Sequence, residues 1–498
     1  MLFGNMRFKI CVFSIIIILF FTSCWSGEGP AQKDSIRHVI VVTIDTLRAD
    51  HLSIYGYPRM TSPFLSGMAK NGVVFEKCFS ASSHTGPSHA SLFTSLFPYQ
   101  HGLLRNGESI YPDVMSMAQV FKDKGYKTGA FSAVNFLKPL SRGFEVFNSD
   151  ESRSSAAKIL KRLKRILGVH KSSDSKDPGP RKPEHGSLVV DKAIEWAQKM
   201  GTDEKFFLWV HFFDVHEWED DGGEFYSKEA SLVRRQSSLS DPELSEFFTG
   251  EHRVNSDYLS ERRLDLLDVM NRYDGRIRYV DSQIKRLFSA IESAKFQGDS
   301  LWIITSDHGE SLGSHNWLKH GNHLYNEELH VPLIIYFSDG SFTNRAVKQM
   351  VRLVDVLPTV MEIVQGTSVN RPIEFEGYSF LPLMRDDSAK FQVKYSFAQR
   401  RPADQGREGY WVQGDVYSLQ SDNSKYILFS DTEDEFYDLN DDPKELNNLI
   451  NTTSKEADMM RNQLASEVQR MLRRNPTSAV KPDNKEHLEE LRSLGYVQ

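Results

Sequence analysis

The sequence predicts an α/β fold built on a mainly parallel central sheet, and three observations carry that reading. Short apolar, β-rich runs (Val39–Ile44, Phe206–Phe213 and Leu301–Thr305) alternate with segments of helical pattern, as parallel strands joined by crossovers require. Each run ends in ligand-type polar residues: Asp45, His216 and the pair Asp307-His308. In open α/β sheets, sites form at such carboxyl ends. Beyond about residue 366 the pattern changes to short strands and a terminal helix, marking a second, smaller unit. The 498 residues carry a net charge of −7 and are 40% hydrophobic, the composition of an ordinary globular protein. No basic excess, nucleic-acid motif or internal repeat points to nucleic acid.

Taken in order, the chain opens with a leader, residues 1–24. Arg7 and Lys9 form its positive region, and Ile10 to Phe21 an apolar one too short for a comfortable membrane span. Phe21-Thr22-Ser23-Cys24 resembles a bacterial lipoprotein box, so lipidation of Cys24 is expected, against a plain secretory signal whose Cys is incidental. The expected protein is exported and membrane-anchored, periplasmic or at the cell surface. Residues 25–37 read as a tether, 38–365 as the main domain and 366–498 as the smaller unit. Cys11 leaves with the leader, so Cys78 alone stays unmodified and no internal disulfide is expected. Cys78 lies in the strand-like run Val73–Phe79 and reads as a buried, inert thiol.

Ser62-Pro63 opens a short helix that Asn71-Gly72 closes. In Thr85-Gly86-Pro87-Ser88-His89 a second helix begins, with Pro87 at its first position and Leu92, Phe93, Leu96 and Phe97 on its apolar side. Thr85 then stands just before a helix N-terminus, where unpaired N–H groups favour negative charge. A hydroxyl, an anion-favouring helix end and the strand-end carboxylate of Asp45 suggest a metal-assisted nucleophile acting on an anionic ester. Met115–Lys124 reads as a helix and Lys127–Ser132 as a strand. The basic segment Lys158–Lys171 places its apolar residues on one helical face, for a membrane or as a solvated surface helix. Ser172–His185 reads as a loop, and the acidic stretch Glu217–Glu224 as a second loop, either a substrate-selecting lid or simply solvated. Tyr273–Asp281 begins a long amphipathic helix, Val331–Tyr336 is a core strand, and Val354–Val364 closes the main domain. The smaller unit shows strands at Tyr395–Phe397, Tyr410–Val412 and Lys425–Phe429, then a helix over Ser454–Arg473.

Thr85-x-Pro87-Ser88-His89 occupies the place of the sulfatase signature Cys/Ser-x-Pro-Ser-Arg. The surrounding runs Ile44–Leu52 and Phe97–Gly102 strongly resemble bacterial sulfatase-family proteins, within the alkaline phosphatase superfamily, and the resemblance covers nearly the whole chain after the leader. It implies the alkaline-phosphatase-like fold with a small C-terminal antiparallel-sheet subdomain. It implies one divalent metal ion, Zn²⁺, Mn²⁺ or Ca²⁺, held by Asp45, Asp307 and His308 with Thr85 as a further ligand; a second ion is left open. The mixed oxygen and imidazole set suits Zn²⁺ or Mn²⁺ better than Ca²⁺. Thr85, His216, Lys319 and His320 become the implied catalytic residues, with His211 a weaker candidate. His216 matches the family's Pro-His-x-Pro segment, although Val215 and Trp218 replace both prolines.

Other departures bear on the chemistry. Val134-Asn135-Phe136-Leu137 stands where many sulfatases have Lys-Trp-His, so those contacts do not carry over. Thr85 cannot become the formylglycine of ordinary sulfatases, His89 replaces the signature Arg, and Thr46 replaces a second Asp. The wider superfamily does include Thr nucleophiles. The implied function is therefore a metal-dependent hydrolase of sulfate or phosphate esters with Thr85 as nucleophile. Its substrate would be an anionic ester, such as a sulfated or phosphorylated glycan or lipid. Two alternatives stand beside it: a catalytically silent relative that binds anionic glycans, and a phosphoalcohol transferase, a class that usually carries several transmembrane helices.

Overall fold

Alternation within the apolar strands sets the layering. In Ile36–Ile44 (β1), Val39 and Val41 face one side of the sheet while Ile40, Val42 and Ile44 face the other, all of them buried. A strand apolar on both faces must be covered on both, which is how parallel sheets are built. In the computed structural model the described residues are 36–149, 185–219, 223–252, 265–293, 296, 299–365, 375–401, 414–452 and 455–473. The leader with Cys24, the segment Lys158–Lys171 and the run Tyr410–Val412 lie outside them.

The large sheet contains Val73–Phe79 (β2), Lys127–Ser132 (β3), Val146–Ser149 (β4), Phe206–Phe212 (β5), Asp299–Thr305 (β6), His330–Phe337 (β7), Arg345–Val347 (β8) and Val351–Arg352 (β9). Its order is β4-β3-β5-β1-β6-β7-β2-β8, with β9 also on β2. All pairings are parallel except those of β7, which runs against both β6 and β2. One face is covered by the helices Thr85–Thr94, Met117–Asp123 and Val356–Gln365. Pro63–Lys70, His185–Gln198 and Leu266–Ile291 cover the other. Gly72, just past Pro63–Lys70, lies so close to β7 that a Cβ would collide with the Ile335 carbonyl.

The smaller sheet, Ser396–Arg400 (β10), Val416–Gln420 (β11), Ser424–Phe429 (β12) and Glu435–Asp438 (β13), is antiparallel throughout. The helix Lys455–Leu472 packs on one of its faces through Met460, Leu464 and Val468. Its other face meets Phe79, Leu324, Tyr325 and Leu329 of the large domain. Cys78 is fully buried with its thiol pushed up by burial, as expected of an inert residue. No helix among the described residues is long and apolar enough to cross a membrane.

Several expectations are corrected. The helix bearing Thr85 begins at Thr85 itself, with His84 as N-cap and Pro87 third in the helix. Pro is tolerated there because every N–H of a first turn lacks an intrahelical acceptor. The stretch read as an acidic loop ends in a helix, Gly223–Arg235, and a further helix follows at Asp241–His252. The long helix starts at Leu266 rather than Tyr273, capped by the Asp265 carboxylate on the Asp268 N–H.

Candidate metal centre and nucleophile

Strands β5, β1 and β6 are neighbours at the middle of the sheet, so the turns after them open on one place. Asp45 follows β1 and is tied down by its N–H to the Phe212 carbonyl (2.9 Å). The next residue, Thr46, is left-handed at φ +59°, unusual for a β-branched side chain. Tyr273 holds that turn: its hydroxyl donates to the Thr46 carbonyl (2.6 Å) and accepts the Arg48 N–H (3.0 Å). Ser306 staples the β1 turn to the β6 turn. Its Oγ lies 2.6 Å from the Ile44 carbonyl and 2.7 Å from that of His308, and accepts the Leu47 N–H at 3.0 Å. Gly309 follows His308 where a Cβ would collide with the Glu327 carbonyl.

The helix Thr85–Thr94 delivers the third component. Ser88 anchors it by donating to the Asp307 carbonyl (2.6 Å), and Asn106 caps the Gly86 N–H (2.7 Å). His89, one turn on, donates from Nδ1 to the Thr85 carbonyl (2.8 Å). Thr85 Oγ1 then stands 3.3 Å from His308 Nε2. His308 donates its Nδ1 proton to the Gly309 carbonyl (2.9 Å), so its Nε2 lone pair faces the cluster. Metal-binding histidines are commonly held this way, the far ring N–H fixed on a backbone carbonyl.

Asp45, Asp307 and His308 each offer a ligand atom, the three lying within 4.8 Å of one another and fully buried. Asp307 Oδ1 accepts the Thr46 N–H (3.2 Å), while the buried Oδ2 accepts no hydrogen bond among the described residues. Burial, then the neighbouring Asp45 charge, push the Asp307 carboxyl well above its ordinary range. Two carboxylates buried together, an oxygen without a donor and an imidazole with its lone pair fixed inward are a donor set that fits a divalent cation.

His216 and His320 are brought together beside this cluster. Their Nε2 atoms are 3.1 Å apart, and the His320 ring lies 4.2 Å from that of His308. His320 donates Nδ1–H to the Ser83 carbonyl (2.9 Å), so its Nε2 accepts from His216 Nε2–H. Burial, then His308, push the His320 pKa well below its ordinary value. Lys319 is placed differently: its side chain is 56% exposed and paired with Glu219 at 3.0 Å. His211 comes closer than its sequence context suggested, with Nε2 3.4 Å from Asp45 Oδ2. Sequence reasoning missed Thr43, Ser306 and Tyr273 as the groups that hold the site; none lies in a motif that marks it.

The family model described as Sulfatase matches residues 37–367, most of the chain. The chain belongs to the sulfatase family. A second model, N-sulphoglucosamine sulphohydrolase, C-terminal, matches residues 313–474. An arylsulfatase of Clostridium perfringens is 22% identical over 83% of this chain and 90% of its own length. An N-acetylglucosamine-6-O-sulfatase of Bacteroides thetaiotaomicron is 20% identical over 95% of this chain and 92% of its own. Among solved structures, the phosphonate monoester hydrolase of Agrobacterium radiobacter superposes with a TM-score of 0.63 at 20% identity, covering 87% of this chain and 95% of that one. An enzyme solved with its substrate D-glucosamine-2-N,6-O-disulfate superposes with a TM-score of 0.66 at 18% identity, covering 90% of this chain and all of the other. These structural likenesses speak to the fold. The family match makes this chain a sulfatase-family hydrolase.

Proposed function

We propose that this sulfatase-family protein hydrolyses sulfate or phosphate esters with Thr85 as nucleophile. The observation that carries the proposal is the placement of Thr85 Oγ1, at a helix N-terminus and 3.3 Å from His308 Nε2, beside buried Asp45 and Asp307. A divalent ion held by Asp45, Asp307 and His308, with Zn²⁺ or Mn²⁺ the better match to the donors, would offset substrate charge and lower the pKa of a neighbouring hydroxyl. Thr85 Oγ1 attacks sulfur or phosphorus in line, and the bond from that atom to the ester oxygen breaks. The His216–His320 pair, whose Nε2 atoms lie 3.1 Å apart, takes up the proton that Thr85 loses and passes it to the departing alcohol. Water then releases the group from Thr85. Lys319, beside His320 and paired with Glu219, contributes positive charge at the rim.

The relatives that act on sulfated sugars support a sulfated glycan as the substrate class. The leader sequence supports export and a lipid anchor at Cys24, tested by fatty-acid labelling that Cys24→Ala abolishes. A catalytically silent glycan-binding role is favoured by one observation, that the run Thr85-Gly86-Pro87-Ser88-His89 has neither the Cys or Ser nor the Arg that the sulfatase signature carries. The test uses metal-stripped protein reloaded with Zn²⁺, Mn²⁺ or Ca²⁺ and offered aryl sulfate, aryl phosphate and diaryl phosphate, with Thr85→Ala as control. Turnover that depends on Thr85 supports the hydrolase, and the preferred ester names its chemistry. Absence of turnover in folded, metal-loaded protein that retains sulfated-glycan binding supports the silent reading.

A further inference from the structure

The first strand of the smaller sheet meets the stretch that leads into Thr85. Gln399 of β10 donates its N–H to the Ala81 carbonyl (3.0 Å). His84, the N-cap of the Thr85 helix, donates from Nε2 to the Arg401 carbonyl (3.1 Å). Between these two contacts stands Arg400, a buried cation. Its Nε and Nη2 both donate to the Asn322 carbonyl, at 3.0 and 2.7 Å, and Nη1 donates to the Gly414 carbonyl (2.7 Å).

Asn322 lies on the loop that carries His320, and the backbone of that loop needs support. Lys319 and Gly321, on either side of His320, are left-handed at φ +88° and +82°. Such a conformation is costly for a residue with a side chain, as Lys319 is. At Gly321 a Cβ would also stand 2.5 Å from the His84 ring, so only glycine lets the loop lie this close to the N-cap. Ser83 stitches the loop to the stretch before Thr85: its carbonyl accepts His320 Nδ1–H (2.9 Å) and its hydroxyl donates to the His323 carbonyl (3.0 Å). Between these two stitches, Arg400 of the smaller domain grips the Asn322 carbonyl. Two N–H groups of a planar guanidinium fix an acceptor in direction as well as distance, which an ammonium on a flexible stem does not.

We infer that Arg400 is a positioning residue for His320. Its fork holds the 319–323 loop so that His320 Nε2 stays on His216, and the smaller domain thereby completes the active site. The inference rests on the reading above, in which the His216–His320 pair passes a proton to the departing alcohol.

The test follows kcat across aryl sulfates and aryl phosphates of graded leaving-group pKa. It uses the metal-loaded full chain as wild type, Arg400→Lys, His320→Gln and the double variant. Arg400→Lys keeps the charge and loses the fork. Its loss in kcat should grow with leaving-group pKa, to about tenfold for the poorest leaving groups, at wild-type Zn²⁺ affinity. In the His320→Gln background the same substitution should cost less than about twofold, because a residue that acts through His320 then has nothing to position. Wild-type rates in Arg400→Lys, a loss of equal size on every ester, or a loss that persists in full beside His320→Gln overturns the inference. Arg400→Gln, neutral and of shorter reach, replaces the Lys variant if that one melts below the assay temperature. Failure of both to fold makes Arg400 structural and overturns the inference as well. An inactive wild type, or a His320→Gln variant whose loss does not depend on the leaving group, brings down the proton-transfer reading itself, and this inference with it.

Discussion

Replacing Thr43 with Val removes one oxygen from a fully buried site and changes almost nothing in volume. The hydroxyl accepts from Trp209 Nε1 and His211 Nδ1 and donates to His89 Nε2, all within 2.9–3.0 Å. Val leaves two buried N–H groups and one ring nitrogen without partners, and each orphaned group costs roughly 1–3 kcal/mol. Because the three share one site and relax together, the expected loss is about 3–5 kcal/mol. Unfolding entropy of roughly 2 cal/mol/K per residue gives about 1 kcal/mol per degree for a unit of this size, so the midpoint should fall about 3–5 °C. The assay is scanning calorimetry in the presence of chelator, which separates the network from any metal contribution. Thr43→Ser keeps the hydroxyl and gives up only a methyl, worth about 1 kcal/mol. A Thr43→Val midpoint within a degree of wild type, or a Ser variant that falls as far as the Val variant, would refute the reasoning.

Three more predictions rest on particular contacts. Ser306→Ala removes the staple between the two ligand-bearing turns and leaves the Leu47 N–H only its longer bond to the Ile44 carbonyl (3.4 Å); Zn²⁺ affinity should fall about tenfold, read by competition with a chromophoric chelator. His320→Gln removes the partner of the His216 proton; kcat should drop on the order of 10²-fold for poor leaving groups and much less for nitrophenyl esters, seen by plotting rate against leaving-group pKa. His315, although burial alone would lower it, is raised by Glu327 and the Glu445 carbonyl to about 9 from 6.5. A raised pKa stabilises the fold fully below about pH 6.5 and ceases to do so as pH rises through about 9. His315→Gln should therefore cost about 3 kcal/mol at pH 6 and converge on wild type by about pH 10, in a series of melts against pH.

Much of the fold could be read from local pattern, because ligand-type residues directly follow apolar strands: Asp45 after β1, and Asp307-His308 just past β6. The direction of β7 could not, since Val331–Tyr336 is equally apolar whichever way it pairs. The helix His185–Gln198 was missed although Val189, Val190, Ala193, Trp196 and Ala197 repeat at helical spacing, a signal masked by the polar run before it. In the small sheet, β11 shows the alternation Val416-Tyr417-Ser418-Leu419-Gln420, but Gly414 and Asp415 beside it read as a turn. Thr85, His308, His216 and His320 were placed together by motif. Thr43, Ser306 and Tyr273 were not, because a hydroxyl that organises a site looks in sequence like any other buried Ser, Thr or Tyr. Lys319 follows, after His320, from resemblance to a family segment that offers a Lys or His to the substrate, and here its backbone has φ +88° and its side chain pairs with Glu219 at the surface.

The central claim is that the Thr85 hydroxyl itself takes the transferred group. Metal-loaded full-length protein is mixed with an aryl sulfate and, separately, an aryl phosphate, quenched in acid within the first turnovers and digested for mass spectrometry. The account predicts a sulfate or phosphate on Thr85 in the peptide carrying Gly86-Pro87-Ser88-His89, absent from Thr85→Ala, which should also lose turnover. Undiminished turnover by Thr85→Ala, with Thr85 of the wild type never modified, would contradict it.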